Sequence, residues 1–264
     1  DMDTLKELYP TVKGLIEHFE KFARHDGLIE NIDDKWNIVD WPMNLRDGYC
    51  IDLPSDGTPV KLHNVVNAFY ILAVQSLEEM QNILGLAEEK KSAKLKEAFV
   101  NIFYNEETKL FCDDAEHTHS ALHSNALPLY LGIAPDDAKD SIIDFIMEKG
   151  LVCGVHFAYY VLKALGKAGA FDKELRLLMN ESEQSWVNMI REGATTCFEA
   201  WGKEQKWNTS LCHPWASTPI VILIEDVFKI SYGEFMDGGK YEKEVILNGK
   251  EYRIELSVEG KQEV

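Results

Sequence analysis

The chain is 264 residues long, 45% hydrophobic and 27% charged, which excludes a disordered or collagen-like polypeptide and allows one large core with a small appendage. Its 45 acidic residues outnumber 27 basic ones, for a formal charge of -18, and no Lys/Arg run is long enough to follow a phosphate backbone, so nucleic acid is not an expected partner. A neutral glycan, held by aromatic faces and hydrogen bonds, is compatible with that charge.

In chain order, Leu5, Leu8, Val12, Leu15, Ile16, Phe19 and Phe22 recur every three or four residues, predicting a helix from Asp3 to Arg24 with one buried stripe. Asp26-Gly27 ends it, and an aromatic-rich connection runs on to about Val60, long enough to suggest a functional loop. Within it, Asp33 to Trp41 supplies carboxylates with Trp36 and Trp41. Asp40-Trp41 is the sharper pair, because a carboxylate can accept from vicinal hydroxyls while an indole covers the apolar face of a sugar. A loop Trp filling a hydrophobic gap beside a solvated Asp is the plainer alternative.

Helical periodicity returns at Leu62–Leu84, Lys90–Phe103, Ser120–Leu131, Asp136–Lys149, Val155–Gly166, Asp172–Ile190 and Trp215–Phe228, making eight helices, with Gly85, Gly132, Gly150 and Gly166 at expected helix ends. Short connections predict αα-hairpins in series. The charged run Glu88–Glu97 reads as a solvated helix face. His117-Thr-His-Ser-Ala-Leu-His123 puts two imidazoles four residues apart but lacks the glutamate of a zinc-protease helix. It is read as a helix start capped by Thr118 or Ser120, with no metal and no cofactor expected.

Between the last two helices, Gly193 to Trp215 concentrates Glu199, Trp201, Trp207, His213 and Trp215: a carboxylate, an imidazole and flat apolar faces, the kit a sugar site needs. Core tryptophans with a solvated Glu199 would produce the same composition. Phe198, Ala200 and Trp201 around Glu199 suggest desolvation, which would raise its pKa. At the end of the chain, Tyr241–Leu247 and Lys250–Val258 flank Asn248-Gly249, a β-hairpin signal, and two strands alone imply part of a larger sheet.

The five cysteines at 50, 112, 153, 197 and 212 include no C-x-x-C pair, so neither a disulfide framework nor a zinc ribbon is indicated. No apolar run is long enough to span a bilayer, the first residues lack the features of a signal peptide, and nothing sets a compartment. A first residue of Asp rather than Met is read as a cut or processing.

Over roughly residues 1–230 the chain resembles the catalytic domain of α-L-rhamnosidases, inverting glycosidases with an (α/α)6 barrel. The resemblance rests on Gly193-Ala-Thr-Thr-Cys-Phe-Glu-Ala-Trp201 followed by Asn208-Thr-Ser-Leu-Cys-His213, with Asp40-Trp41, Asn125-Ala-Leu-Pro-Leu-Tyr-Leu-Gly-Ile133 and Ala164-Leu-Gly-Lys-Ala-Gly169 in support. It implies a mainly α, incomplete (α/α)6 toroid over residues 1–235 and the start of a β-sandwich over 236–264. It also implies Glu199 as general base, His213 as a sugar-binding histidine and Asp40 and Trp41 as pocket residues, with Trp36 and Trp201 as candidate sugar contacts. The family's general acid lies in a string resembling Arg-Asp-Glu-x-x-Gly-Trp-x-Gly-Asp; Arg46-Asp-Gly-Tyr is no match. That absence, with eight helices against the family's twelve, implies a missing N-terminal segment. Another glycosidase on the same barrel and a non-catalytic glycan-binding helical protein are the competing readings.

Overall fold

The computed structural model describes residues 1–30, 38–49, 62–86, 89–247 and 249–260. Trp36 and Asp33 therefore lie outside the described residues, as does Asn248. The fold is mainly α, with two short antiparallel strand pairs, and divides into two compact units, residues 1–146 and 147–264.

In the first unit, α1 (Met2–Glu20) begins where the Asp1 carboxylate accepts the Asp3 N–H at 3.0 Å. It packs against α2 (Asn64–Leu84), yet Leu8 and Leu15 of its apolar stripe face solvent. The helix stops four residues before the expected Arg24 because the backbone folds back on itself: the Arg24 N–H donates to Leu28 O at 2.8 Å and the Glu30 N–H to Phe22 O at 3.1 Å. The central element is α2, which buries Val65, Ala68, Ile71, Val74 and Leu77 at helical spacing. It also packs on α3 (Ser92–Phe103) and α4 (Leu122–Tyr130).

A two-residue strand pair missed by periodicity, β1 (Tyr104–Asn105) with β2 (Leu110–Phe111), joins α3 to the segment before α4. It is held by an aromatic cluster in which the Phe99 ring lies 4.8 Å from Phe103 and 5.7 Å from Phe111. Three buried asparagines satisfy the irregular backbone that helices cannot. Asn67 bonds both backbone groups of Ile29 at 2.8 and 3.0 Å, Asn64 donates to Cys112 O at 3.0 Å, and Asn125 accepts from Phe111 N and donates to Phe111 O at 2.8 and 3.0 Å. Neither Thr118 nor Ser120 caps α4. Carboxylates from elsewhere do so instead: Asp113 accepts the Ala121 N–H and Asp47 the Leu122 N–H, each at 2.8 Å. Helix α5 (Lys139–Lys149) closes the unit.

In the second unit, α6 (Ala158–Lys167) packs against α7 (Phe171–Leu178). The helix expected over Asp172–Ile190 is broken. Asn180 turns back to donate to Leu177 O at 2.6 Å, and Ser185 restarts α8 (Trp186–Arg191) by accepting the Asn188 N–H at 2.9 Å. The helix expected over Trp215–Phe228 begins late, as α9 (Thr218–Val221) with Pro219 in its first turn, and continues as a π-helical turn, Ile222–Val227. A short α10 (Tyr232–Asp237), unforeseen in the periodicity, is set by a capping box between Ser231 and Glu234. The tail pairs β3 (Gly239–Leu247) with β4 (Lys250–Val258) from Gly239↔Val258 to Leu247↔Lys250.

Gly85, Gly132 and Gly150 follow helices with positive φ, but Gly166 lies buried inside α6 for a different reason. A Cβ there would sit 2.9 Å from both carboxyl oxygens of Glu174 on α7. Glu174 is fully buried, with no hydrogen-bond donor to either oxygen among the described residues. Its pKa is pushed up to about 8, first by burial and then by the negative charge of Asp226, against the pull of Lys163 and Lys229. Lys163, itself buried, binds Asp226 at 2.7 and 2.9 Å and Glu225 at 2.9 Å, which ties α6 to the π-helical turn. Between the ordinary glutamate pKa and about 8, the folded chain keeps a proton that the unfolded chain releases, so this group makes stability fall as pH rises through that window. Glu174→Gln is expected to remove that fall, gaining stability over the native chain at pH 8 but not at pH 4. Urea midpoints for the two proteins at both pH values measure it, and a constant difference would refute it.

Candidate active site

Residues 193–217 form a folded-back loop rather than an open linker. The Glu199 N–H donates to Ser210 O at 2.9 Å, the His213 N–H to Cys197 O at 2.8 Å, and the Thr196 hydroxyl to Leu211 O. These bonds bring together two motifs separated in sequence, 197–199 and 210–213. At the base of the loop, Glu192 accepts the Lys203 N–H at 2.8 Å, and Gly202 passes so close that a Cβ there would lie 2.7 Å from Glu192 Oε1.

Glu199 is half-buried, its side chain 14% exposed, and both carboxylate oxygens are held. Lys206 Nζ donates to Oε1 and the Ser210 N–H to Oε2 at 3.0 Å, while the Trp215 indole N–H donates to the Glu199 backbone oxygen at 3.2 Å. Burial pushes the Glu199 carboxyl up, as its apolar neighbours suggest. The hydrogen bonds from Lys206 and Ser210, with the charges of Lys206 and His213, outweigh it and hold the group below the usual carboxylate range. This corrects the expectation of a raised pKa: Glu199 is held as a carboxylate that accepts from Lys206 and Ser210.

His213 lies beside it, its ring 4.4 Å from that of the partly exposed Trp215, which also meets His156 at 5.5 Å. The His213 and Trp215 rings thus pack together within the carboxylate loop. Trp201 does not belong to that surface. It is 0% exposed, its indole N–H donates to Cys153 O at 2.7 Å, and its ring packs edge-on against Trp186 at 4.8 Å. No ring face is left for a sugar, so the contact expected of Trp201 is corrected to a supporting one. Trp207, in contrast, is 96% exposed.

Asp40 and Trp41 belong to the first unit. Asp40 is buried, its Oδ2 2.7 Å from His123 Nε2, its Oδ1 accepting the Trp41 N–H at 2.7 Å and its backbone oxygen accepting from Arg46 Nε at 2.9 Å; Trp41 is half-buried. The imidazoles of the His117–His123 segment are engaged separately. His117 meets Ile102 O at 2.6 Å, His119 meets Asp113 at 2.6 Å and His123 meets Asp40. Among the described residues no three His, Cys, Asp or Glu converge as a metal site, and no helix is long and apolar enough to cross a membrane.

Sequence reasoning missed Lys206, Ser210 and His156. Lys206 sits in a charged, loop-like stretch that looks solvated, and the role of Ser210 is carried by its backbone, which has no signature in sequence.

Residues 1–227 match the profile of the bacterial alpha-L-rhamnosidase six-hairpin glycosidase domain. An alpha-L-rhamnosidase of Formosa agariphila is 23% identical over 215 residues, covering 78% of this chain and 22% of the relative. Among solved structures, this chain is similar to the Streptomyces avermitilis alpha-L-rhamnosidase complexed with L-rhamnose (TM-score 0.62, 20% identity, 89% of this chain and 22% of that one). It is also similar to the Klebsiella oxytoca rhamnosidase with rhamnose bound (TM-score 0.66, 16% identity, 84% and 42%). The chain spans about a fifth of the curated relative's length.

Proposed function

Because this chain belongs to the bacterial alpha-L-rhamnosidase six-hairpin glycosidase family, we propose that it supplies the base half of an inverting hydrolysis that releases terminal α-L-rhamnose from glycans or glycosides. The observation that carries this reading is Glu199, an ionised carboxylate held at both oxygens beside the His213–Trp215 pair. Family membership and the rhamnose bound in two solved relatives support this choice of substrate.

In the proposed step, Glu199 takes a proton from water, the water oxygen bonds to the anomeric carbon, and the glycosidic C–O bond breaks with its electrons on the leaving oxygen. A second carboxyl on the opposite face, about 6.5–9.5 Å from the first, protonates that oxygen. We assign the second carboxyl to the Arg-Asp-Glu-type segment of the family, outside these 264 residues. His213 is proposed to bind the sugar beside Glu199, Asp40 and Trp41 are proposed as sugar-binding residues of the first unit, residues 1–235 as the catalytic segment, and residues 236–264 as the opening of a β-sandwich.

The test is hydrolysis by the native gene product of an aryl α-L-rhamnoside against an aryl α-D-glucoside, with NMR of the first sugar released. Preferential cleavage of the rhamnoside to β-L-rhamnose is expected. Preference for the glucoside would move the chain to another barrel glycosidase, and first release of the α-anomer would overturn inversion.

A further inference from the structure

Resting on the reading of Glu199 as the base, we propose that Lys206 is a positioning residue for it: a cation folded back over the carboxylate that fixes its orientation and keeps it ready to accept a proton. Lys206 Nζ meets Oε1 from one side while the Ser210 N–H holds Oε2 from the other, so the carboxylate plane is clamped between a charge and a backbone dipole. Each oxygen retains acceptor capacity beyond its one donor, leaving room for a water proton.

The loop is built to present this lysine. The Thr209 hydroxyl donates to Lys206 O at 2.9 Å and the Thr209 N–H to the same oxygen at 3.4 Å, turning the backbone just before Ser210 joins the ladder. The ion pair is sheltered, with side chains 18% and 14% exposed, so solvent and salt weaken it less than a surface pair. Among the described residues, the charged and titratable groups that act on Glu199 are Lys206 and His213; the Ser210 N–H is a fixed donor, and the Trp215 N–H engages the backbone oxygen rather than the carboxylate. Of these donors to the carboxylate, Lys206 is the side chain that substitution can remove. Without it, burial is opposed only by the backbone donor and His213, and the carboxylate gains protons at higher pH.

The test is the pH dependence of kcat/KM on an aryl α-L-rhamnoside for the native gene product, Lys206→Met and Lys206→Arg. Lys206→Met is expected to move the acidic limb upward by about one pH unit, roughly a tenfold loss below that limb with a much smaller change at neutral pH. Lys206→Arg is expected to restore the native limb, which also separates loss of charge from misfolding. An unmoved limb in Lys206→Met, with rates lowered equally at every pH, would overturn the proposal and leave Lys206 a structural loop residue. Full turnover by Glu199→Gln would instead overturn the base assignment, whatever Lys206 does.

Discussion

Glu199→Gln is expected to lower kcat on aryl α-L-rhamnosides by about a thousandfold, within the range contributed by a positioned general base. Rhamnose binding should change by no more than a few fold. The amide keeps the volume of the side chain and one acceptor oxygen, so the Thr196 hydroxyl bond to Leu211 O and the Glu199–Ser210 backbone bond that shape the loop stay in place. What is lost is the negative charge. The amide cannot hold a water proton, and either Lys206 or the Ser210 N–H must face an NH2 group where it now meets oxygen. A fall in kcat with intact binding is the signature of an interaction made in the transition state rather than in the ground state. Single-turnover kinetics alongside equilibrium binding of rhamnose measure the two separately, and near-normal turnover in this variant would end the assignment.

Trp201→Ala is expected to destabilise the chain by about 4 kcal/mol, within the range for truncating a fully buried aromatic side chain. For a chain of this size that is a fall in melting temperature on the order of 10 °C. The indole is sealed in the core, packs edge-on against Trp186, and donates its N–H to the Cys153 carbonyl. Removal leaves a cavity and takes the indole donor away from the buried Cys153 carbonyl, costs that overlap rather than add. Trp201→Phe, which refills part of the space without the N–H, should fall between the two. Thermal unfolding followed by circular dichroism distinguishes the roles: unchanged melting with weakened rhamnose binding would return Trp201 to the sugar-contact role that its motif suggests.

Much of the helical frame was readable because amphipathic period and end signals are local. The buried face of α2, the apolar spacing of Leu95, Phe99 and Phe103 in α3, and the Gly85 stop appear in sequence as they do in space. The β3–β4 register around Asn248-Gly249 follows from the same kind of short-range rule. Where periodicity failed, a side chain competed with the helix backbone: Asn180 and Ser185 each offered hydrogen bonds that break the predicted Asp172–Ile190 helix. Two carboxylates took over the α4 start from Thr118 and Ser120, the nearby Asp113 and the distant Asp47, and no helix-capping rule could foresee the second.

The chemistry divides along the same line. The string around Glu199 named the carboxylate and the family, since residue identity in a short motif needs no neighbours to be read. Its protonation state depended on Lys206 and the Ser210 N–H, seven and eleven residues away, which the 197–213 ladder brings to opposite oxygens of one carboxylate. Trp201 and Trp215 look alike in sequence, yet one is sealed in the core and the other reaches the surface. Desolvation, charge and ring exposure belong to the assembled environment of a residue, so only the three-dimensional arrangement could assign Glu199 its lowered pKa and Trp201 its place in the core.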